Sequence, residues 1–357
     1  MNSTASIIVA TVIACLCGFS GAGSSQDIPA SQQEKVKGKE KEAGAKAKTD
    51  DGKKDAKKRT FPQEAEAGGR PVMWEEPGDL EGRDLFYGLG GQKGAPDPAG
   101  KFTFIERDPG GTSEKIVVED DKGRKWKVKF GAEARPETSA SRIVWAAGYH
   151  VDQDYFVKRT HIEGRGGFDV WDVRFERDDD GYKKVGPWAW RSNPFQGTRE
   201  LDGLKTLMAL LNNFDVKAEN NRVVRPGKKS GDDPAKLIYY VGDLGATLGS
   251  TGFFLTQIPL FGEMPAGTKG NPHHFAAHPF IERVANGEVT FHNKRRRSGR
   301  DLAGVKVENA RWMGGVLNRL SDKQLSDAFR AGGFDEAETA IYVRAMRDRI
   351  SQLLNLK

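Results

Sequence analysis

The chain reads as an α+β protein of two lobes, an antiparallel sheet lobe first and a mainly helical lobe after it. Three observations predict this. Runs of β-branched and aromatic residues separated by Asp/Gly/Pro turns crowd positions 102–130. Apolar residues recur at helical spacing over 198–211 and again toward the C-terminus. No internal repeat interrupts this order of strands first and helices later.

The elements follow in order. Positions 71–100 form a Gly- and Pro-rich irregular lead-in carrying the apolar cluster Leu85-Phe86-Tyr87. Strands are expected over 102–105, 115–119 and 125–130. Asp108-Pro109-Gly110-Gly111 and Asp120-Asp121-Lys122-Gly123 are the turns that make them a meander. A helix comes next, with Pro136 in its first turn, Gly148 at C′ and Ala140, Ile143, Val144 and Ala147 as its stripe. Further strands are expected at 155–157 and 171–175. A buried helix then spans 198–211, with Leu201, Leu204, Met208 and Leu211 on one face. A buried strand covers 237–241, whereas 246–305 shows little periodicity. Ser321-x-x-Gln324 and Asp335-x-x-Glu338 are capping boxes, Gly332-Gly333 ends one helix, and Tyr342, Met346, Ile350 and Leu353 line the last. The lobes are thus 71–190, lead-in included, and 191–357.

Composition bounds the rest. Of 357 residues, 37% are hydrophobic and 30% charged, which suits one globular domain with polar extensions. Segment 1–25 reads as a signal: its apolar run, 7–19, is shorter than the roughly 20 residues of a membrane span. No Lys or Arg precedes that run. Val12-Ile13-Ala14-Cys15 resembles a bacterial lipobox, which would leave Cys15 lipidated and the N-terminus a membrane tether; cleavage near Ala22 would give a soluble product. The expectation is an exported protein, either a periplasmic or cell-envelope lipoprotein or a secreted one. Cys15 and Cys17 are the two cysteines, so the folded part has neither disulfide nor thiol chemistry. Residues 26–70 form a Lys/Glu-rich linker expected to be disordered. Eleven basic and six acidic residues at 34–59 supply +5 of the net +6. The folded part is therefore nearly neutral, and no nucleic-acid partner is expected.

The residues able to carry chemistry are concentrated after the buried helix. Asp215-Val216-Lys217-Ala218-Glu219-Asn220 is followed, at the end of a strand, by Asp243-Leu244-Gly245. Upstream, Lys127 and Lys129 share one face of the third strand, Lys129 being nearer the helix that Glu137 opens. Gly110-Gly111 lies between the first two strands, where backbone amides can cradle phosphate or simply turn a hairpin.

D-x-K-x-x-N followed by D-x-G resembles the catalytic and metal-binding loops of protein kinases. The resemblance spans roughly residues 102–354. It implies Asp215 as the group that accepts the acceptor's proton and Lys217 as a neutraliser of the transferring phosphoryl. It implies Asn220 and Asp243 as metal ligands, and Lys129 (or Lys127) with Glu137, Gly110 and Gly111 on the nucleotide. The implied cofactors are ATP and Mg²⁺ or Mn²⁺, and the implied reaction is γ-phosphoryl transfer to a hydroxyl acceptor, protein or small molecule. Asn213-Phe214 replaces the usual His-Arg, and neither G-x-G-x-x-G nor A-P-E is present. The pattern is thus more similar to atypical kinases, such as the HipA-type and secretory-pathway families. A kinase-fold binding module without transfer and a structural envelope protein are the alternatives.

Other motifs have plainer readings. His273, His274, His278 and His292 lack the acid of a metalloprotease helix and read as loop histidines. Gly186-Pro187-Trp188-Ala189-Trp190 suits packing, or stacking of an adenine or sugar, and Arg295-Arg296-Arg297 suits an acidic substrate or a solvated face.

Overall fold

The computed structural model describes residues 68–110, 113–178, 181–250, 268–293 and 296–357, without the side chains of 296–298. The expected signal segment and nearly all of the expected linker lie outside them, as do Gly111 and Arg295. Among the described residues, no helix is long and apolar enough to cross a membrane.

The sheet lobe is built from β2 (Phe102–Asp108), β3 (Lys115–Asp120), β4 (Lys125–Lys129), β5 (Asp154–Glu163) and β6 (Phe168–Arg177). β2, β3 and β4 pair antiparallel as the turn residues predict. Asp120 sets the second turn: its Oδ1 accepts from the Lys122 and Arg124 amides, and its Oδ2 accepts from the Trp126 indole at 3.0 Å. Period two sends Trp126 and Val128 inward to meet Phe102, Val118 and Phe175 in the core. The meander is not an open sheet. β6 adds to β4, β5 to β6, and a short parallel pairing of β5 with β2, Phe102 opposite Ile162, closes a five-stranded barrel.

Helix α1 (Ala134–Ala146) follows β4 directly and is buried on most sides, against β5, β6 and the C-terminal helices. It stops at Gly148, whose φ of +95° and lack of room for a Cβ, 2.4 Å from the Glu75 carbonyl, both require glycine. Beyond the barrel, β7 (Tyr182–Gly186) leads through Trp188 and Trp190, both buried, to α2 (Arg199–Leu210). The Trp188 indole donates to the Tyr240 carbonyl at 2.8 Å, so the two tryptophans are core packing rather than a stacking surface. Thr198 caps α2, accepting from the Leu201 amide, and Leu201, Leu204, Met208 and Leu211 are buried as the stripe predicts.

The loop after α2 feeds a 3₁₀ turn (Ala218–Asn220) and then the hairpin β8 (Asn221–Pro226) and β9 (Lys236–Val241). β1 (Arg70–Val72) pairs parallel with β9, giving the sheet order β1-β9-β8-β7. The chain continues through α3 (Pro272–Ala277), β10 (Ile281–Ala285), β11 (Glu288–Phe291), α4 (Arg296–Asp301) and β12 (Val305–Lys306). It ends in α5 (Val307–Asn318), α6 (Asp322–Ala331) and α7 (Glu336–Leu354). Both capping boxes form, and Tyr342, Met346, Ile350 and Leu353 are buried. The C-terminal lobe carries more sheet than its helical pattern suggests. β10, β11 and β12 make a three-stranded sheet whose strands are too short to register as periodicity. Arg349 ties this lobe together. Its guanidinium is buried over the Phe275 ring at 3.8 Å and donates to the Leu210, Phe275 and His278 carbonyls, fixing α2 where the candidate loop begins.

Candidate functional site

The last residue of β4, the first turn of α1 and the end of β9 converge. Lys129 leaves the barrel wall only 4% exposed. Its Nζ lies 2.6 Å from Glu133 Oε2, 3.0 Å from Glu137 Oε2 and 3.0 Å from Asp243 Oδ1. Glu133 and Glu137 are one helical turn apart, so both carboxylates fall on the face of α1 turned to the strand. On the far side of Glu137, Arg174 of β6 reaches Oε1 at 2.6 Å and Glu176 at 2.5 Å.

These charges set one another's ionisation. Burial works to lower Lys129, but Glu137, Asp243 and Glu133 hold it above the ordinary lysine value. Glu133 is raised by burial and pulled down to about 2 by Lys129 and Lys269. Burial raises the Glu137 carboxyl above its ordinary value, and Arg174 and Lys129 are the two cations opposing that.

Asp243 is delivered by backbone geometry. Its φ of +52° is one that a non-glycine residue adopts at a cost on the order of 1–3 kcal/mol. Flanking glycines make room for it. A Cβ at Gly242 would sit 2.7 Å from the Asn220 carbonyl, and one at Gly245 would sit 2.6 Å from the Glu133 Cβ. Gly245 is therefore needed for close approach, whereas the left-handed backbone belongs to Asp243 itself. Asn220 precedes β8, and the Asn221–Val241 pairing of the hairpin sets it beside Gly242. Its amide donates to the Asp215 carbonyl at 2.9 Å, which leaves the side-chain oxygen as its ligand atom.

Lys129, Glu137, Asn220 and Asp243 line one cavity of about 430 Å³, together with Ser113 of the β2–β3 connection and Lys115, the first residue of β3. Carboxylate oxygens of Glu133, Glu137 and Asp243 lie within 4.8 Å of one another. Carboxylates are hard oxygen donors of the kind that suits Mg²⁺, but the Lys129 ammonium bridges all three here, and Asn220 adds its amide oxygen to the same cavity lining. Lys129 now shares the Oδ1 of Asp243, and the second oxygen of that carboxylate remains for a cation.

Not every expected residue reaches this cavity. Lys127 pairs with Asp178 beyond the end of β6, because β4 runs antiparallel to β6 and sets Lys127 opposite Glu176, away from α1. Gly110 offers no free amide: its N–H donates to Asp108 Oδ1 at 2.8 Å, and its carbonyl accepts from Lys115 at 3.2 Å. Asp215 and Lys217 pair with each other at 2.6 Å outside the cavity lining, linked to it through Asn220. Of the histidines, His273 and His274 sit in α3, and His278 and His292 face each other with ring centroids 5.3 Å apart.

The sequence reading missed Glu133, Arg174, Asp152 and Arg222. Two of these left a trace. Glu133 stands one helical turn before Glu137, and Arg174 sits between Asp172 and Glu176 on a strand that alternates charged and apolar residues. Asp152 and Arg222 look like ordinary loop and strand polars until the fold joins them, with the Arg222 guanidinium donating to both Asp152 oxygens.

A strand lysine bonded to a helix glutamate, facing an Asp at a hairpin's end across a cavity, is a kinase-like arrangement. The fold is kinase-like. No family model matches the chain, and no curated protein does. Among solved structures it is similar to the Helicobacter pylori proinflammatory kinase CtkA, at 14% identity and a TM-score of 0.41, over 72% of this chain and 96% of that one. It is also similar to the Rio2 kinase of Chaetomium thermophilum, solved as an ADP/Mg²⁺–phosphoaspartate complex, at 13% identity and a TM-score of 0.29, over 71% and 72%. Both overlaps are loose. What makes the arrangement kinase-like is the placement of Lys129, Glu137, Asn220 and Asp243 on these elements.

Proposed function

We propose that the cavity is the active site of an exported, atypical kinase-like phosphotransferase that moves the γ-phosphoryl group of a nucleoside triphosphate, ATP first, to a hydroxyl acceptor. The observation that carries this reading is the contact of Lys129 with both Glu137 and Asp243, the latter 114 residues away in sequence. A buried lysine held by a helix carboxylate, with an Asp that can take a metal beside it, is the pairing on which kinase phosphate sites are built.

Lys129 would turn from Asp243 toward the phosphates, with Glu137 keeping its ammonium in the cleft. Asn220 and Asp243 would hold Mg²⁺, which when bound screens the charge between phosphate oxygens. Asp215 would orient the acceptor hydroxyl and take its proton once Lys217 swings toward the transferring group. Positioning and charge neutralisation do most of this work, because phosphoryl transfer asks little covalent chemistry of the protein.

One observation favours a second reading. The Asp215 carboxylate is paired with Lys217 and does not line the cavity, as suits a nucleotide-binding module without transfer. Calorimetry and a phosphoryl-transfer assay on one set of variants separate the two. Under the enzyme reading, Asp243→Ala loses Mg²⁺-dependent nucleotide binding, while Asp215→Ala binds within about threefold of wild type and loses transfer by at least the 10²-fold typical of a lost acid–base group. A wild type that binds but never transfers would leave the module reading. Binding that is unchanged in Asp243→Ala would remove both.

A further inference from the structure

The two ends of the cavity differ. Lys129, Asn220 and Asp243 stand at one end; Glu176, two residues along β6 from Arg174, the cross-strand partner of Lys129, and Arg222, two residues after Asn220, stand a step of about 7 Å further on. Asp152 and Lys184 complete this second end. Among the described residues, no apolar side chain lines the cavity at either end.

The charges at the second end are already committed to one another. Arg222 Nη1 donates to Asp152 Oδ2 at 3.0 Å, Nη2 reaches Oδ1, and the guanidinium lies over the Tyr240 ring at 4.7 Å. Arg174 is shared between Glu176 and Glu137. Burial raises Asp152, but Arg222 overrides it and keeps the carboxyl below its ordinary value, so the pair stays ionised.

A nucleobase is a flat, weakly polar ring whose faces bind by covering apolar or aromatic surface. Here its faces would meet ion pairs and their water. Each hydrogen bond to its edge would compete with a charge-assisted bond already made, which returns little net free energy. The phosphate end is ion-paired too, with Lys129 held by Glu133, Glu137 and Asp243, but its groups suit a metal-bound polyphosphate: Lys129 and Lys115 are cations, and Asp243 and Asn220 offer oxygens for a metal.

We propose that this cleft recognises its ligand through the metal-bound polyphosphate alone and leaves the base unread, so that nucleoside triphosphates of any base and inorganic tripolyphosphate are equivalent ligands. This rests on the phosphotransferase reading above and narrows its donor to a chemical class, the Mg²⁺-polyphosphates.

Titration calorimetry of the full chain in MgCl₂ with ATP, GTP, CTP and inorganic tripolyphosphate tests it. The expected result is four Kd values within fivefold of one another, all lost in Asp243→Ala. A nucleotide binding more than fivefold tighter than tripolyphosphate overturns base indifference and leaves the phosphate-and-metal site standing. Equal binding that survives Asp243→Ala puts the phosphate elsewhere and overturns the proposal. No binding by any of the four overturns the site reading, and this inference with it.

Discussion

Lys127 and Lys129 are two residues apart on one strand, yet they serve different regions. Lys129 is 5% exposed along its side chain and touches Glu133, Glu137 and Asp243. Lys127 is 34% exposed and pairs with Asp178, itself 28% exposed. Strand periodicity makes the two equivalent. Helix α1 separates them, because it starts within five residues of Lys129 and brings its carboxylates over that end of β4 only. A buried charge surrounded by opposite charge is costly to remove, whereas a solvated pair contributes little.

Removing Lys129 should have the largest effect. Lys129→Met leaves Glu133, Glu137 and Asp243 facing one another without their shared cation, at a cost of about 3–5 kcal/mol. Lys127→Met should cost no more than about 1 kcal/mol. Urea unfolding of both variants measures the contrast, and similar losses would erase it. The acid side of the Lys129 cluster comes next. Glu133 titrates at about 2 in the folded chain against an ordinary 4.5, so it adds stability that is fully present above pH 4.5 and lost as pH falls toward 2. That depression corresponds to about 3 kcal/mol. The stability difference between wild type and Glu133→Gln should therefore shrink from pH 6 to pH 2, and a constant difference would show that Glu133 acts by packing instead. Smaller still is Gly245→Ala, whose methyl would push Glu133 away from Lys129 for about 1–3 kcal/mol. A matching loss of Mg²⁺-ATP affinity would show that the glycine sets the site's geometry as well as its packing.

The legible parts of the fold were local. The Asp120 turn, both capping boxes and the Gly148 stop each depend on residues within a few positions, which the chain order already places together. The short strands β10, β11 and β12 were illegible because two to five residues carry too little periodicity to separate strand from loop. In the site, the motif names Asn220 and Asp243, and one hairpin carries both to the same cavity. Glu133 was overlooked although its spacing from Glu137 is that of a helical neighbour. The Arg222–Asp152 pair had no sequence signal at all, since its partners are 70 residues apart.

By itself, then, the sequence determined the order of strands and helices and a D-x-K-x-x-N/D-x-G pattern carried at the ends of regular elements. Only the tertiary structure decided that the meander closes into a barrel, that Lys129 rather than Lys127 meets Asp243, and that the far end of the cavity is ionic. The physical reason is range. Propensity, caps and turns act over a few residues, whereas burial and ion pairing depend on which distant segments share a low-dielectric space, and packing alone fixes that.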